Sequence, residues 1–228
     1  VQERLANMGL LKGVAAIFYG SPGTGKTESV FQIAKQTGRD IFKVDVSQTK
    51  SMWFGESEKL IKKVFTDYEK ACKQSPIKPI LLFNEADAIL SKRKESSQTN
   101  TSQTENAIQN ILLEEMELFD GIMIATTNLQ DNLDAAFERR FLFKIKFEVP
   151  SIEVKSKIWT SKLTWLNHDF AMQLANYSFS GGEIDNIVRK VAMKEVLTGI
   201  RPDESEIIQY CQNEKLNSGS KIKKVGFI

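Results

Sequence analysis

Three consecutive segments, Val14-Ala-Ala-Ile-Phe-Tyr19, Gly20-Ser-Pro-Gly-Thr-Gly-Lys-Thr27 and Glu28-Ser-Val-Phe-Gln-Ile-Ala-Lys35, read as a strand, a tight glycine turn and a helix. That succession restricts the fold more than anything else in the chain, because a helix that follows a strand in this way crosses back over a sheet whose next strand is parallel. The glycines let the backbone curl until successive N–H groups converge at a helix N-terminus, which is an anion site. Gly20, Pro22, Gly23, Thr24, Gly25, Lys26, Thr27 and Glu28 are therefore the candidate phosphate-binding residues. Lys26 supplies a point charge, and the Thr27 hydroxyl is placed to hold Mg²⁺.

Downstream, Asp40-Ile-Phe-Lys-Val-Asp-Val46 alternates as a strand does, and a helix is expected from about Glu56 to Lys73. Pro79-Ile-Leu-Leu-Phe83 is continuously apolar, as a strand buried on both faces of a parallel sheet should be. The segment from Ser91 to Thr104 has no apolar residue and reads as a surface loop, after which a helix resumes at Glu105 with Ile108, Ile111, Leu112 and Met116 at helical spacing. Ile122–Thr127 and Leu142–Val149 are the last two strands, and Pro150 ends the second of them. From Ser151 the strand signal disappears, and helices are expected at Ile152–Lys162, Asp169–Ala175, Gly182–Leu197 and Asp203–Glu214. The expected fold class is α/β, a parallel five-stranded phosphate-loop sheet with helices on both faces, followed by a small helical domain. The expected divisions are 1–150, 151–216 and a C-terminal tail over 217–228.

Lys and Arg number 31 against 29 Asp and Glu, a formal charge of +2, which provides no electrostatic footprint for nucleic acid or a membrane surface. No apolar run reaches bilayer length, and Val1-Gln-Glu-Arg-Leu5 lacks the apolar core of a signal peptide, so a cytoplasmic location is expected. Cys72 and Cys211 stand far apart in helix-like segments and read as packing thiols. The one histidine, His168, has no companion and reads as a surface or cap residue; with no His-Glu-x-x-His pattern, a zinc protease within this chain is excluded.

Hydrolysis of a phosphoanhydride needs a group that orients the attacking water. Glu85, in Asn84-Glu85-Ala86-Asp87 at the end of the third strand, stands where such a group belongs. Phosphate-loop enzymes normally place before it an aspartate that helps hold Mg²⁺, and here that residue is Asn84. An amide accepts hydrogen bonds from a metal's water shell but brings no charge, so metal affinity and rate should fall while the nucleotide site survives. Asp87 reads as an acidic residue favoured at the start of the next helix. Asn128, at the end of the Ile122–Thr127 strand, is placed to reach between the γ-phosphate and the water held by Glu85.

The order of phosphate loop, acidic strand end, polar strand end, the pair Arg139-Arg140 and a helical domain resembles that of the AAA+ ATPases over nearly the whole chain. Met52-Trp-Phe-Gly-Glu-Ser-Glu58 is similar to the first pore loop of the protein-unfolding AAA branch, and Phe179-Ser-Gly-Gly-Glu183 to its lid motif. The resemblance implies ATP and Mg²⁺ as cofactors, Thr27 and Asn84 at the metal, and a homo-oligomeric, hexameric ring acting on a polypeptide. It also implies that Trp53, Phe54 and Gly55 line the channel, where an aromatic face holds any passing sequence without a fixed hydrogen-bond pattern. Arg139 and Arg140 become arginine fingers reaching a neighbouring subunit's phosphates, with an ion pair to Glu138 or Asp134 as the plain structural alternative. By position the 91–104 loop, with Lys92-Arg93-Lys94, becomes a second pore loop or a solvated charge run. Gly181 and Gly182 let backbone approach adenine, while Ser180 and Glu183 form a capping box and Arg189 faces solvent.

The leading expectation is an ATP-driven motor module that remodels or unfolds proteins. Because the phosphate-loop strand begins so near the first residue, the module is expected to have been cut from a longer protein. A nucleotide-binding assembly subunit with weak or no hydrolysis is the alternative that Asn84 motivates. A DNA-linked AAA+ protein is a third, disfavoured by the near-neutral charge.

Overall fold

The computed structural model describes residues 13–46, 53–92, 100–129 and 132–214. Five strands, β1 (Val14–Gly20), β2 (Ile41–Asp45), β3 (Ile80–Asn84), β4 (Ile122–Thr127) and β5 (Phe143–Phe147), form one all-parallel sheet in the order β2-β3-β4-β1-β5. Between them run α1 (Lys26–Thr37), α2 (Trp53–Gln74), α3 (Asp87–Leu90), α4 (Asn100–Leu118) and α5 (Ala135–Arg140). This is the α/β phosphate-loop architecture that the opening strand-turn-helix unit demands.

Alternation along the strands sorts the core into two layers. Ile17, Leu81, Phe83, Met123 and Ala125 pack with Ile61 and Phe65 of α2 and Ile108, Leu112 and Met116 of α4. Ala16, Phe18, Ile80, Leu82 and Ile124 face the other way, onto Val30 and Ala34 of α1. Every residue of β3 is buried, which explains its unbroken apolar run. Truncating Leu81 or Leu82 to Ala would cost about 2–5 kcal/mol. β5 is one of the two edge strands, opposite β2, and its Phe143, Lys144, Ile145 and Lys146 are exposed.

Two helix starts fall earlier than the sequence pattern places them. Trp53 already lies in α2, ahead of the expected Glu56, because Gly55 keeps its backbone N–H and C=O and costs the helix only about 1 kcal/mol of entropy. Asn100 opens α4, ahead of Glu105, since an all-polar first turn leaves no apolar period to read. Of the expected second pore loop only Ser91 and Lys92 precede α4 among the described residues; residues 93–99 lie outside them, as do 215–228 of the expected tail.

The chain divides into two compact units, Val1–Ser21 with Gly25–Glu148, and Pro22–Thr24 with Val149–Ile228. In the second, α6 (Ile152–Lys162), α7 (His168–Ala175), α8 (Gly181–Thr198) and α9 (Glu204–Gln212) surround Trp159, Phe170, Leu174, Ile184, Ile187, Val191, Ile207 and Cys211. Each of these helices starts on a side-chain cap: Ser151, Asn167, Ser180 and Asp203. Ser180 with Glu183 and Asp203 with Glu206 complete reciprocal capping boxes. His168 is exposed in the first turn of α7, and Cys72 and Cys211 are free thiols within their helices. No described helix is long and apolar enough to cross a membrane.

Candidate functional site

Because β3, β4 and β1 are adjacent and parallel, their C-terminal ends bring the turn after Gly20, Asn84-Glu85 and Thr127-Asn128 to one edge of the sheet. Gly20 leaves β1 at φ 142°, and a Cβ there would stand 2.1 Å from the carbonyl oxygen of Phe147 in β5. Only glycine lets the chain turn out of the sheet at that point. The helix that follows is preceded by Gly25 in the left-handed region at φ 92°, and no side chain caps it.

Lys26 is buried, and its ammonium spends its three protons on neutral acceptors: the carbonyls of Gly20 and Ser21, each at 2.8 Å, and Asn128 Oδ1 at 2.9 Å. Burial pushes its pKa below the ordinary lysine value, opposed by the nearby charges of Asp87 and Glu85. A phosphate oxygen is a stronger partner for this ammonium than any of the three, since its bond would be charge-assisted.

Asn128 is held from its other side by Asp87. That carboxylate accepts from the Asn128 backbone N–H at 2.7 Å, from Asn128 Nδ2 at 3.3 Å, from the Leu129 N–H at 3.2 Å and from the Thr127 hydroxyl. The sequence reading of Asp87 as a simple helix-start residue is thereby corrected. It lies in the first turn of α3, but its oxygens reach across to the end of β4. An acid three residues beyond a strand gives no signal of this by itself.

Thr27 Oγ1 donates to Asn84 Oδ1 at 2.8 Å, and Thr126 Oγ1 donates to the same oxygen at 3.1 Å. Asn84 Nδ2 in turn donates to Asp45 Oδ1 at 3.2 Å. Asn84 and Thr27 therefore place two hard oxygens side by side, with the hydroxyl's lone pairs open, which suits Mg²⁺ held by few protein ligands and several waters. Among the described residues no three His, Cys, Asp or Glu side chains gather as a protein-only metal cage would require. The next residue, Glu85, is exposed and adopts φ 54°, the one non-glycine residue with positive φ among the described residues. Its backbone N–H is anchored on Thr126 Oγ1 at 3.0 Å. Backbone strain of this kind costs about 1–3 kcal/mol and concentrates at functional sites.

Arg140 pairs with Glu117 of α4 and donates through Nη1 to the Ala136 carbonyl at 3.1 Å, so its ion-pair partner is neither Glu138 nor Asp134. Glu138 pairs with Lys144, and Asp134 caps α5 by accepting from the Ala136 N–H at 2.8 Å. Arg139, one residue earlier, is exposed, and its side chain makes no hydrogen bond or ion pair among the described residues. Trp53, Phe54 and Gly55 form the first turn of α2. In the second unit the Gly182 N–H donates to the carbonyl of Gly23 at 3.0 Å. Arg189 is exposed and pairs with Asp185. Asp45, Thr126 and Asp87 are the site residues that sequence reasoning missed. The mark that could have found Asp45 is an acid ending a parallel strand beside β3.

Fold and edge together define a phosphate-loop NTPase domain accompanied by a helical unit. Residues 16–150 match the ATPase family associated with various cellular activities (AAA), and the chain belongs to that family. Fidgetin-like protein 1 of Drosophila melanogaster is 29% identical over 201 residues, covering 85% of this chain and 37% of the relative. Proteasome-activating nucleotidase 1 of Haloferax volcanii is 30% identical over 214 residues, covering 90% and 51%. Katanin p60 ATPase-containing subunit A1 of Strongylocentrotus purpuratus is 28% identical over 228 residues, covering 92% and 42%. The chain thus spans 37–51% of the length of these relatives.

Proposed function

We propose that this chain binds and hydrolyses ATP as the motor module of a homo-oligomeric, hexameric ring that remodels or unfolds polypeptides. The observation that carries the reading is the hydrogen-bonded series Asp87–Asn128–Lys26, which ties the end of β4 to the phosphate loop. Phosphate oxygens would meet the N–H groups of the loop from Gly20 to Thr27 and the Lys26 ammonium. Thr27 and Asn84 would hold Mg²⁺, which when bound neutralises charge on the β- and γ-phosphates. Glu85 orients the attacking water and accepts its proton. Asn128 positions that water against the γ-phosphate, and its own placement is set by Lys26 and Asp87.

Arg139 and Arg140 serve as the fingers offered to a neighbouring subunit, and the exposed Arg139, unpaired among the described residues, is the freer of the two. Trp53, Phe54 and Gly55 grip the substrate chain, and Gly181 and Gly182 admit the adenine. A cytoplasmic site of action fits this role. ATP turnover measured against protein concentration tests the reading, with Glu85→Gln and Arg139→Ala as controls. Specific activity that rises with concentration and collapses in both variants is expected. Concentration-independent turnover indifferent to Arg139 sinks the ring.

A second reading, a nucleotide-binding assembly subunit with weak hydrolysis, is favoured by Asn84, whose amide brings no charge to the metal. Asn84→Asp separates the two: a large gain in turnover supports the weak-hydrolysis reading, and no gain supports the motor.

A further inference from the structure

Asn84 and Asp45 are register partners on adjacent parallel strands, and the amide of one donates to the carboxylate of the other at 3.2 Å. The opposite side of the same amide accepts from Thr27 and Thr126. Both lone pairs of the Asn84 oxygen are thus occupied by hydroxyl donors, and Asp45 receives an N–H on the far side. Reversing the amide would set its oxygen against the Asp45 carboxylate, two acceptors with no proton between them. Asp45 therefore fixes which end of the buried Asn84 faces Thr27: the oxygen, as a cation requires, and not the NH₂.

We propose that Asp45 is a positioning residue of the Mg²⁺ site, supplying through Asn84 the negative charge that the strand end of β3 itself lacks. This rests on reading the edge as a Mg²⁺–ATP site. The carboxylate polarises the amide, making Oδ1 a better acceptor from Thr27, whose hydroxyl keeps its lone pairs for the metal. Lys43 pairs with the other oxygen of Asp45 at 3.0 Å, and its side chain is 40% exposed, so water screens that pair. A carboxylate moved one strand over, with an asparagine as its intermediary, keeps the oriented carboxylate–ligand arrangement common around bound metals.

The alternative is that Asp45 merely fastens the β2 edge. The two differ in calorimetric binding of the β,γ-imido analogue of ATP, titrated with Mg²⁺ and again with EDTA, the ratio of affinities being the metal increment. Asp45→Asn should cut that increment about tenfold while leaving metal-free affinity unchanged. The exchange Asp45→Asn with Asn84→Asp should recover it. Should Asp45→Asn not fold, Asp45→Ser is measured in its place with the same expectations. An increment unchanged in the folded single variant, or not recovered in the exchange, overturns the proposal. Wild-type protein that binds the analogue under neither condition overturns the nucleotide reading and this inference with it. Binding with an increment indifferent to Asp45 overturns this inference alone.

Discussion

The Asp87 carboxylate accepts the backbone N–H of Asn128 at 2.7 Å, so a residue on α3 sets the position of one at the end of β4. Asn128 Oδ1 in turn accepts a hydrogen bond from the Lys26 ammonium. Asp87→Ala removes every restraint on that side of Asn128 and is expected to lower turnover roughly 10- to 100-fold through misplacement alone. Nucleotide affinity should stay near wild type, because the phosphate loop is intact. Single-turnover hydrolysis beside equilibrium nucleotide binding checks this, and a loss confined to affinity contradicts it.

Glu85 holds φ 54° at the edge of the sheet. In ordinary loops alanine is at least as stabilising as glycine, but a left-handed residue reverses that order by about 1 kcal/mol. Glu85→Gly should therefore unfold at higher denaturant than Glu85→Ala, while both lose hydrolysis about 100-fold or more. Equal midpoints for the two variants would mean that the backbone relaxes when the carboxylate is gone.

Much of the fold is legible in the amino-acid sequence. β3 announces itself through four successive apolar residues, Ile80 to Phe83, because burial on both faces removes polar alternation. The helical unit is legible in its caps, Ser151, Ser180 and Asp203, each standing just before an apolar period. Asp45 and Asp87 were hidden for a different reason. Their partners lie 39 and 41 residues away in sequence, on other elements, and no local pattern carries a pairing set by strand order. The Arg140–Glu117 pair escaped likewise, since neighbouring carboxylates at Glu138 and Asp134 were nearer along the chain and are engaged elsewhere.

The two adjacent arginines should separate experimentally. Arg140 is tied to Glu117 and to the Ala136 carbonyl, so Arg140→Ala is expected to cost about 1 kcal/mol of stability as well as turnover. Arg139 has no partner among the described residues, so Arg139→Ala should leave the unfolding midpoint in place while lowering turnover. Chemical denaturation run alongside the ATPase assay tells them apart. Comparable destabilisation by both would show that Arg139 holds the domain together rather than reaching a neighbour.

Acid should weaken the helical unit through its paired carboxylates. The hydrogen bond from Lys162, with the Lys162 and Arg189 charges, holds the Asp185 pKa below the ordinary 3.8. Asp203, bonded to the Ser205 hydroxyl, and Glu206, bonded to Lys194, shift in the same direction. A depressed carboxyl pKa stabilises the fold fully above its unfolded value and ceases to do so as the pH falls through the folded one. The thermal midpoint, followed by the fluorescence of the buried Trp159, should thus be flat from neutrality down to about pH 5 and fall below it. Asp185→Asn is expected to remove about 0.5 kcal/mol at pH 7, after discounting for solvent screening of a side chain 31% exposed, and progressively less as the pH falls through the folded pKa of Asp185. A deficit in the variant that persists undiminished at pH 3 would assign the effect to packing rather than to charge.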